Sequence, residues 1–531
     1  MINVHITKEL EPFANDIREL CMAFFTLQKI NYITGAGEHC EPASITIKNF
    51  YHGNFIGDRH QLKGEIKRQL YDYLSSLTHK KLLWGTLTGI RPVNIVTNIL
   101  EDKEKFQDEK AKFYDTLNDK NKYAYVTSNL HKEKKISDVL GLSSITEIDN
   151  PIYKENESIK KYLKDEYYIS DEKAYEIIKI ARKEIEILGR KEVRDYKNSY
   201  SIYIGVPFCR STCLYCSFTS YNIEKFEKYV DRYLEVLEKE FESRVKKINE
   251  ELQNASESKD KLNPMTIYIG GGTPTSLDED HFEKLLKIID KYVDTKNCIE
   301  YTVEAGRPDT ITKEKLLIMK KYGVNRISIN PQSFNQKTLD LIGRKHTVND
   351  VVEKFKLARS VGFDNINMDI ILGLPNEHLF DVLKTLNGIR KLKPDSFTVH
   401  SLALKRAARL NYELEEWTKN YYLAGIGNKN ITEGKREIDK MFRWSEKLAE
   451  HLNLKPYYLY RQKNIAGNLE NVGYAKEGKE CIYNIMMMSE RHTVYGFGTA
   501  TTNKVIYRDD EKIIESEEGY KSVVDYCERV G

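Results

Sequence analysis

Three cysteines fall within eight residues of one another, in the run Tyr203-Ile-Gly-Val-Pro-Phe-Cys209-Arg-Ser-Thr-Cys213-Leu-Tyr-Cys216-Ser-Phe218. The spacing, C-x3-C-x2-C, puts three thiolates on one short loop, enough for three corners of a [4Fe–4S] cluster. The fourth iron then lacks a protein ligand and can bind a small molecule, so the spacing points to catalysis more than to electron storage. The run Ile202–Phe208 reads as a strand. It sets the loop at a strand's carboxyl end, where α/β barrels keep their active sites. Two other readings stand beside this one. A structural zinc site wants four closed ligands, and the loop offers three. Buried thiols without chemistry would not need to cluster in one loop.

The 531 residues leave room for about two to four domains. With 40% hydrophobic residues and 35 tyrosines, large cores are possible, and 12 prolines without low-complexity tracts argue against extensive disorder. Lys and Arg number 83 against 80 Asp and Glu, a net charge of +3, which predicts no general affinity for nucleic acid or anionic membrane. The basic stretches Lys132 to Lys135 and Arg244 to Lys247 read as solvated helix faces or loops. Eight cysteines in such a length do not make a disulfide scaffold, and Cys21, Cys40, Cys298, Cys481 and Cys527 read as scattered buried thiols. No apolar run reaches membrane-spanning length. The N-terminus carries charge too early for a secretory signal. A cytoplasmic, reducing location is expected, and an exposed cluster would suit an anaerobic cell.

Residues 1–195 read as a mixed α/β accessory domain. Strand-like alternation occurs at Ile2 to Ile6 and Ser44 to Tyr51, and helical periodicity at Arg59 to Ser76 and Asp171 to Leu188. The loop Leu83-Trp84-Gly85-Thr86-Leu87-Thr88-Gly89-Ile90-Arg91-Pro92 reads as a turn between helices. Residues 196–404 alternate regularly. Strands are predicted at Ser201–Pro207, Thr266–Gly270, Glu300–Ala305, Arg326–Asn330, Asn365–Leu372 and Ser396–Leu402. Helices are predicted at Lys225–Asn254, Glu279–Tyr292, Lys313–Tyr322, Gln336–Ile342, Val348–Val361 and Leu379–Leu392. Six β-α units with crossover helices imply a parallel sheet. Six fall short of the eight that close a barrel, so the fold class expected is α/β, a partial (β/α)6 barrel with a lateral opening for a large substrate. A doubly wound open sheet is the alternative. Residues 405–531 are less regular. They include the apolar-aromatic run Tyr457–Tyr460, a methionine run at Met486–Met488 that reads as core, and a glycine-spaced turn at Gly496–Gly498. They are expected to form an α+β substrate-covering domain.

Polar motifs follow the strands. Strand two ends in Gly270-Gly271-Gly272-Thr273-Pro274-Thr275, where missing side chains let a ligand approach the backbone; the spacing is not that of dinucleotide sites. Strand three ends at Glu304, which can hold ribose hydroxyls or a cationic amine. Strand four runs into Asn330-Pro331-Gln332-Ser333-Phe334, followed by Gly343-Arg344-Lys345-His346, and strand five carries Asp369 before Gly373-Leu374-Pro375. Each polar residue alone reads as a cap or loop hydrogen-bonder. Their recurrence at the cysteine end of parallel strands points to joint function. Cys298 precedes strand three, so it lies at the wrong end for a fourth ligand. Cys481 stays open.

C-x3-C-x2-C followed by GGGTPT resembles the radical S-adenosylmethionine (SAM) superfamily. The fuller set resembles its oxygen-independent coproporphyrinogen III oxidase branch: Tyr203-Ile-Gly-Val-Pro-Phe-Cys, Val-Glu304-Ala, Pro-Gln332-Ser-Phe, Gly-Arg344 and Asn-Met-Asp369-Ile-Ile-Leu-Gly-Leu-Pro. The long N-terminal region is similar to that of the longer, Firmicute-type coproporphyrinogen dehydrogenases. The resemblance implies that Cys209, Cys213 and Cys216 ligate the cluster and that the open iron binds the SAM amino and carboxylate groups. Tyr215 would border the adenine, and Gly271, Gly272 and Thr273 would meet the methionyl amine. Tyr203, Glu304, Gln332, Arg344, Asp369 and Ala403 fall at positions that contact SAM, with Tyr203 and Glu304 the catalytic candidates, and one or two SAM molecules are implied. The chemistry implied is SAM cleavage to a 5′-deoxyadenosyl radical, hydrogen abstraction from a substrate propionate, and loss of CO2 and an electron to leave a vinyl. Two such events turn coproporphyrinogen III into protoporphyrinogen IX. The partners implied are a tetrapyrrole and an electron donor such as flavodoxin or ferredoxin.

Lys405, Arg406 and Arg409 follow strand six and suit the four carboxylates of such a substrate; a solvated basic turn is the other reading. One position departs from the branch. Where the well-studied dehydrogenases carry a further cysteine, this chain has Phe218, as do relatives that resemble heme chaperones. Heme binding and delivery, and radical chemistry on heme itself, therefore stand beside decarboxylation.

Overall fold

In the computed structural model the described residues are 2–25, 30–34, 45–47, 59–89, 91–104, 106, 107, 110, 151–193, 199–251, 261–405, 407–425, 431–462, 465, 469–507 and 513–529. They fall into two compact units, 1–182 and 183–531.

In the first unit, alternating Ile and Val residues make three short parallel strands, β1 (Ile2–Ile6), β2 (Ile30–Thr34) and β3 (Ile45–Ile47), in the order β2-β1-β3. The rest of the strand expected over 44–51 lies outside the described residues. Val4 and Ile6 pack with Ile17, Leu20 and Phe24 of the helix Ala14–Phe24 and with Leu70 and Leu74 of the helix Arg59–Thr78. The expected loop from Leu83 is a turn pinned by glycine. Gly85 has φ +53°, and a Cβ there would stand 2.0 Å from the Tyr167 carbonyl oxygen, which the Thr86 N–H uses at 2.8 Å. Ile90 lies outside the described residues.

The second unit is organised by one sheet. Its strands include β4 (Tyr200–Val206), β7 (Thr266–Gly271), β8 (Glu300–Glu304), β9 (Arg326–Ser328), β10 (Ile366–Leu372) and β11 (Ser396–Ser401). These six lie parallel in the order β11-β10-β9-β8-β7-β4, the partial (β/α)6 barrel expected from the sequence. Between β4 and β7 come two short strands, β5 (Phe208–Cys209) and β6 (Tyr221–Asn222), which pair with each other. Fully buried strands of this kind read as near-continuous apolar runs, which is why their positions were legible.

Where the edges differ, the reason is local. The strand expected over Arg326–Asn330 stops at Ser328. Pro331 has no N–H to give the ladder. The chain rejoins at Gln332, whose N–H donates to the Asp369 carbonyl at 3.0 Å while its own carbonyl accepts from Ile371 at 3.0 Å. The helix expected over Lys225–Asn254 is broken into Ile223–Phe226, a 3-10 turn at Glu227–Tyr229, and Val230–Glu251, with Asn222 capping the first piece. The crossover helices start where caps dictate. Asp278 caps Glu279–Tyr292, Thr312 caps Lys313–Lys321, and Thr347 with Asp350 forms a capping box on Val348–Ser360.

The C-terminal stretch extends the same sheet at both edges. β12 (Lys455–Tyr460) and β13 (Asn471–Ala475) run antiparallel beyond β11. β14 (Thr493–Gly498) lies parallel against β4, followed by the antiparallel β15 (Thr502–Tyr507) and β16 (Ile513–Glu518). Gly496 to Gly498, expected as a turn, are thus the end of a seventh parallel strand. A Cβ on Gly498 would stand 2.7 Å from the Gly205 carbonyl of β4, and one on Gly496 would stand 2.7 Å from Thr501 Cβ, just before β15. Met486 is wholly buried against Tyr457, Tyr458 and Ile485, a core role as expected, with Met487 and Met488 packed partly buried against the same cluster. Of the basic stretches, Arg244 is half-turned into the sheet edge, donating to the Gly496 carbonyl at 2.6 Å, while Lys246 and Lys247 pair on the helix surface with Glu250 and Glu251. Lys132 to Lys135 lie outside the described residues. No helix among the described residues is long and apolar enough to cross a membrane.

The β4–β14 junction yields a stability prediction. A Cβ on Gly205 would stand 2.1 Å from the Thr499 carbonyl oxygen, a backbone atom that cannot rotate away. Gly205→Ala should cost about 1–3 kcal/mol, read as an earlier urea transition. An unchanged midpoint would mean that this junction yields freely.

Candidate active site

The cysteine loop leaves β4 at its carboxyl end through Pro207. Its base is closed by the Tyr221 N–H donating to the Pro207 carbonyl at 2.7 Å and by the β5–β6 pair. Three neighbouring loops clamp it. The Gly343 carbonyl accepts from Ser211 Oγ at 2.9 Å, and the Ile342 carbonyl accepts from the Leu214 N–H at 3.0 Å. The Leu410 N–H, from the segment after β11, donates to the Leu214 carbonyl at 3.0 Å. Arg307, from the loop after β8, donates to Ser211 Oγ at 3.0 Å. Cys213 is buried, and Cys209 and Cys216 are partly exposed.

The glycine run after β7 sits against this loop with nothing between. Gly271 has φ +100°, a conformation side chains resist. The Gly272 N–H donates to the Val206 carbonyl at 2.7 Å and the Thr273 N–H to the Phe208 carbonyl at 2.7 Å. A Cβ on Gly272 would fall 2.5 Å from the Phe208 oxygen. Thr273 Oγ1 lies 3.4 Å from Cys209 Sγ. Burial pushes the Cys209 thiol up to about 11, with the Thr273 contact opposing. A thiol so placed becomes a thiolate when a metal meets it.

Glu304, at the end of β8, accepts from Tyr268 Oη at 2.6 Å. Burial pushes its carboxyl up to about 7; the Tyr268 hydrogen bond opposes this, and the Asp369 charge adds to it. A Cβ on Gly270 would touch this carboxyl at 2.9 Å, so the first glycine of the run makes room for it. Tyr203 stacks on Tyr268 and Tyr483, with ring centroids 6.1 Å away in each case. Asp369 accepts from Asn367 at 2.8 Å and faces His400 Nε2 at 3.8 Å. Burial alone would raise its carboxyl, but His400, Asn367 and Thr398 hold it below the ordinary aspartate range.

Gln332 stands at φ +62° with a buried Oε1 that has no hydrogen-bond partner. Arg344 donates to the Gly306 carbonyl at 3.0 Å, the Asn330 carbonyl at 2.7 Å and Tyr215 Oη at 3.4 Å, and its buried Nε has no partner. Ala403 lies buried just past β11, bridged to Ile465. The candidates from Cys209 to Ala403 thus come together at one end of the sheet. A side-chain-free cradle, unpartnered buried polar atoms and three thiols suit a cluster with a small molecule beside it.

Cys481 falls elsewhere. Its thiol donates to Glu300 Oε1 at 3.2 Å, at the amino end of β8, so it is no fourth ligand. Cys298 is also at that end, donating to the Thr295 carbonyl. Cys21 and Cys527 are buried, as expected, and Cys40 lies outside the described residues. Among the described residues, no group of three or more His, Cys, Asp or Glu could hold a single metal ion. A cubane differs, because each thiolate meets its own iron.

Of the proposed anchors, Lys405 Nζ lies 4.9 Å from the centroid of the exposed Phe218 ring, and Arg409 faces Glu413 at 3.8 Å. Arg406 lies outside the described residues. Sequence reading overlooked Tyr268, His400 and Arg307. Tyr268 and His400 had a signal, since each sits an even number of residues from an inward-facing neighbour on its strand.

Residues 203–388 match the radical SAM superfamily. Over 352 residues the chain is 42% identical to the oxygen-independent coproporphyrinogen-III oxidase-like protein HemZ of Bacillus subtilis, covering 66% of each chain, just under two thirds of that relative. Over 299 residues it is 32% identical to the heme chaperone HemW of the same organism, covering 56% of this chain and 69% of HemW. Among solved structures, the coproporphyrinogen III oxidase HemN of Escherichia coli matches with a TM-score of 0.47 and 18% identity, over 64% of this chain and 71% of HemN. The fold and the match define a radical SAM protein, whose cofactors are a [4Fe–4S] cluster and SAM. Within that superfamily the chain belongs to the family of coproporphyrinogen oxidase-like proteins and heme chaperones.

The cysteines separate by experiment. After anaerobic reconstitution, Cys209→Ser, Cys213→Ser and Cys216→Ser should each lose most bound iron and the cluster's visible absorption. Cys298→Ser and Cys481→Ser should keep both. Full iron in any of the first three would remove that residue from the ligand set.

Proposed function

We propose that this chain is an oxygen-independent coproporphyrinogen III dehydrogenase of heme biosynthesis, converting two propionates to vinyls to give protoporphyrinogen IX. The reading rests on one observation above all. The likeness to HemZ runs well beyond the matched radical SAM segment, over 352 residues at 42% identity, whereas the likeness to HemW is 32% over 299.

In this reading Cys209, Cys213 and Cys216 hold the cluster, and Tyr215 borders the adenine. Gly271, Gly272 and Thr273 let the methionyl amine reach the backbone. When bound, the cluster and SAM supply a carbon-centred radical able to take hydrogen from a propionate. The chain positions the partners and excludes water. Glu304 takes the SAM ammonium, Asp369 and Gln332 take hydroxyls, and Arg344 holds Tyr215 in place. Tyr203 and Ala403 close the sides. Lys405, on the Phe218 ring beside the cysteine loop, serves a substrate carboxylate, and Arg409 does so by leaving Glu413. A small redox protein such as flavodoxin or ferredoxin delivers the electron. A second reading, heme binding and delivery, is favoured by Phe218 and by the HemW likeness.

One anaerobic assay separates the two. Reconstituted protein, reductant and SAM are incubated with coproporphyrinogen III or with heme. Protoporphyrinogen formed together with 5′-deoxyadenosine is the expected result. Stoichiometric heme binding without decarboxylation would replace it with the second reading. A linear tetrapyrrole from heme would point to chemistry on heme itself.

Glu304 gives SAM binding a pH dependence. The carboxyl must be ionised to receive an ammonium, and burial has raised it to about 7. Protonation therefore competes as pH falls through that value. SAM affinity, measured by calorimetry on the reconstituted protein, should weaken about tenfold from about pH 8 to about pH 6. Glu304→Gln should bind weakly and without this slope. A flat wild-type profile would remove Glu304 from the ammonium site.

A further inference from the structure

We propose that Arg307 sets the reduction potential of the cluster, acting as a buried cation fixed against the sulfur of Cys213. The proposal rests on the reading of Cys209, Cys213 and Cys216 as cluster ligands. Arg307 is three residues past Glu304 and only 3% exposed. One end of its guanidinium donates to Ser211 Oγ at 3.0 Å and to the Ser211 carbonyl at 3.3 Å, and it faces Cys213 Sγ at 3.9 Å. The other end is held by Asp309, with Nε 3.2 Å from Oδ1 and Nη2 3.5 Å from Oδ2. The Arg307 carbonyl accepts from Thr310 Oγ1 at 2.7 Å, which fixes the backbone beneath.

Arg307 is the cation that contacts this sulfur, and the charge of Arg344 also reaches it. Asp309 is its counter-ion. His346 Nδ1 stands 3.8 Å from Asp309 and is fully buried, with neither ring nitrogen hydrogen-bonded, so the imidazole is uncharged. Arg344 turns its guanidinium to Tyr215 and two carbonyls. Arg210 is exposed and donates to the Asp309 carbonyl at 3.1 Å.

Cluster potential depends on net charge and on donors to the ligating sulfurs. Reduction adds one electron to the cluster, and a buried positive charge beside a ligating sulfur favours that state. In a low-dielectric site the effect is large, and a paired carboxylate opposes it. A clamp that only shaped the loop would affect iron loading. A charge that tunes the cluster predicts shifts of opposite sign for its two members.

The test is an anaerobic redox titration of the full-length reconstituted protein, followed by electron paramagnetic resonance, with iron counted per chain. In Arg307→Gln the reduced-to-oxidised ratio at the wild-type midpoint should fall about tenfold, about 59 mV for one electron. Asp309→Asn should move the midpoint the other way. Arg307→Lys keeps the charge without the fork and should stay near wild type. Wild-type potentials in both Arg307→Gln and Asp309→Asn, or shifts of the same sign, would overturn the proposal. If Arg307→Gln takes up no iron, Asp309→Asn decides alone: an upward shift supports the proposal and an unchanged or lower midpoint overturns it. A variant lacking Cys209, Cys213 and Cys216 that still holds the cluster would instead defeat the reading on which this one rests.

Discussion

The site depends on two backbone hydrogen bonds, from Gly272 to Val206 and from Thr273 to Phe208. They join the loop after β7 to the loop after β4, edge to edge. They form because Gly270 to Gly272 carry no side chains, and because β4 and β7 are in register from Ser201 and Thr266 to Val206 and Gly271. A single Cβ at Gly272 would reach the carbonyl that Thr273 needs. The cysteine loop thus has one rigid wall, set by the sheet. Its other walls are side-chain and loop contacts from after β8, β9 and β11. A parallel sheet delivers all four to the same end, which lets residues two hundred positions apart converge on one short loop.

Legibility followed the range of the cause. The cysteines, the glycine run and the six buried strands are local signals, carried by spacing and by uninterrupted apolar runs. They appeared where the sequence placed them, within one or two residues. The failures came where a distant element decided. Gly496 and Gly498 look like turn residues, yet they end a strand: Gly498 lies hard against Gly205 of β4 and Gly496 against Thr501. Arg326–Asn330 looks like one strand, but Pro331 ends the ladder and the Asn330 side chain accepts the Asp369 N–H in its place. Cys481 lies far along the chain, with nothing nearby to say which end of the sheet it would meet. Only its hydrogen bond to Glu300 settles that.

Arg307 shows the same limit within the site. The run Glu304-Ala-Gly-Arg-Pro is visible in the sequence, and an arginine before a proline is an unremarkable loop residue. Its meaning comes from Ser211 and Cys213, about ninety positions earlier, and from Asp309 two positions later. A buried guanidinium is costly unless its charge is met. Here one carboxylate meets it, and its far end is left facing a cysteine sulfur.

The two acidic groups at the strand ends divide the remaining work by environment. Glu304 and Asp369 are both buried, and burial alone would raise both. Asp369 is brought down because His400, Asn367 and Thr398 face it, whereas for Glu304 the Tyr268 hydroxyl, the Arg326 charge and the Gly271 backbone do not offset burial and the like charge of Asp369. Environments that push two carboxyls apart assign them different tasks. Asp369 is the permanent anion, suited to hydroxyl groups at any working pH. Glu304, raised to about 7, is the group whose ionisation a nearby cation would favour. The order β8, β9, β10 in the sheet sets this up, since it puts the two carboxyls on strands once removed, close enough for the Asp369 charge to raise Glu304.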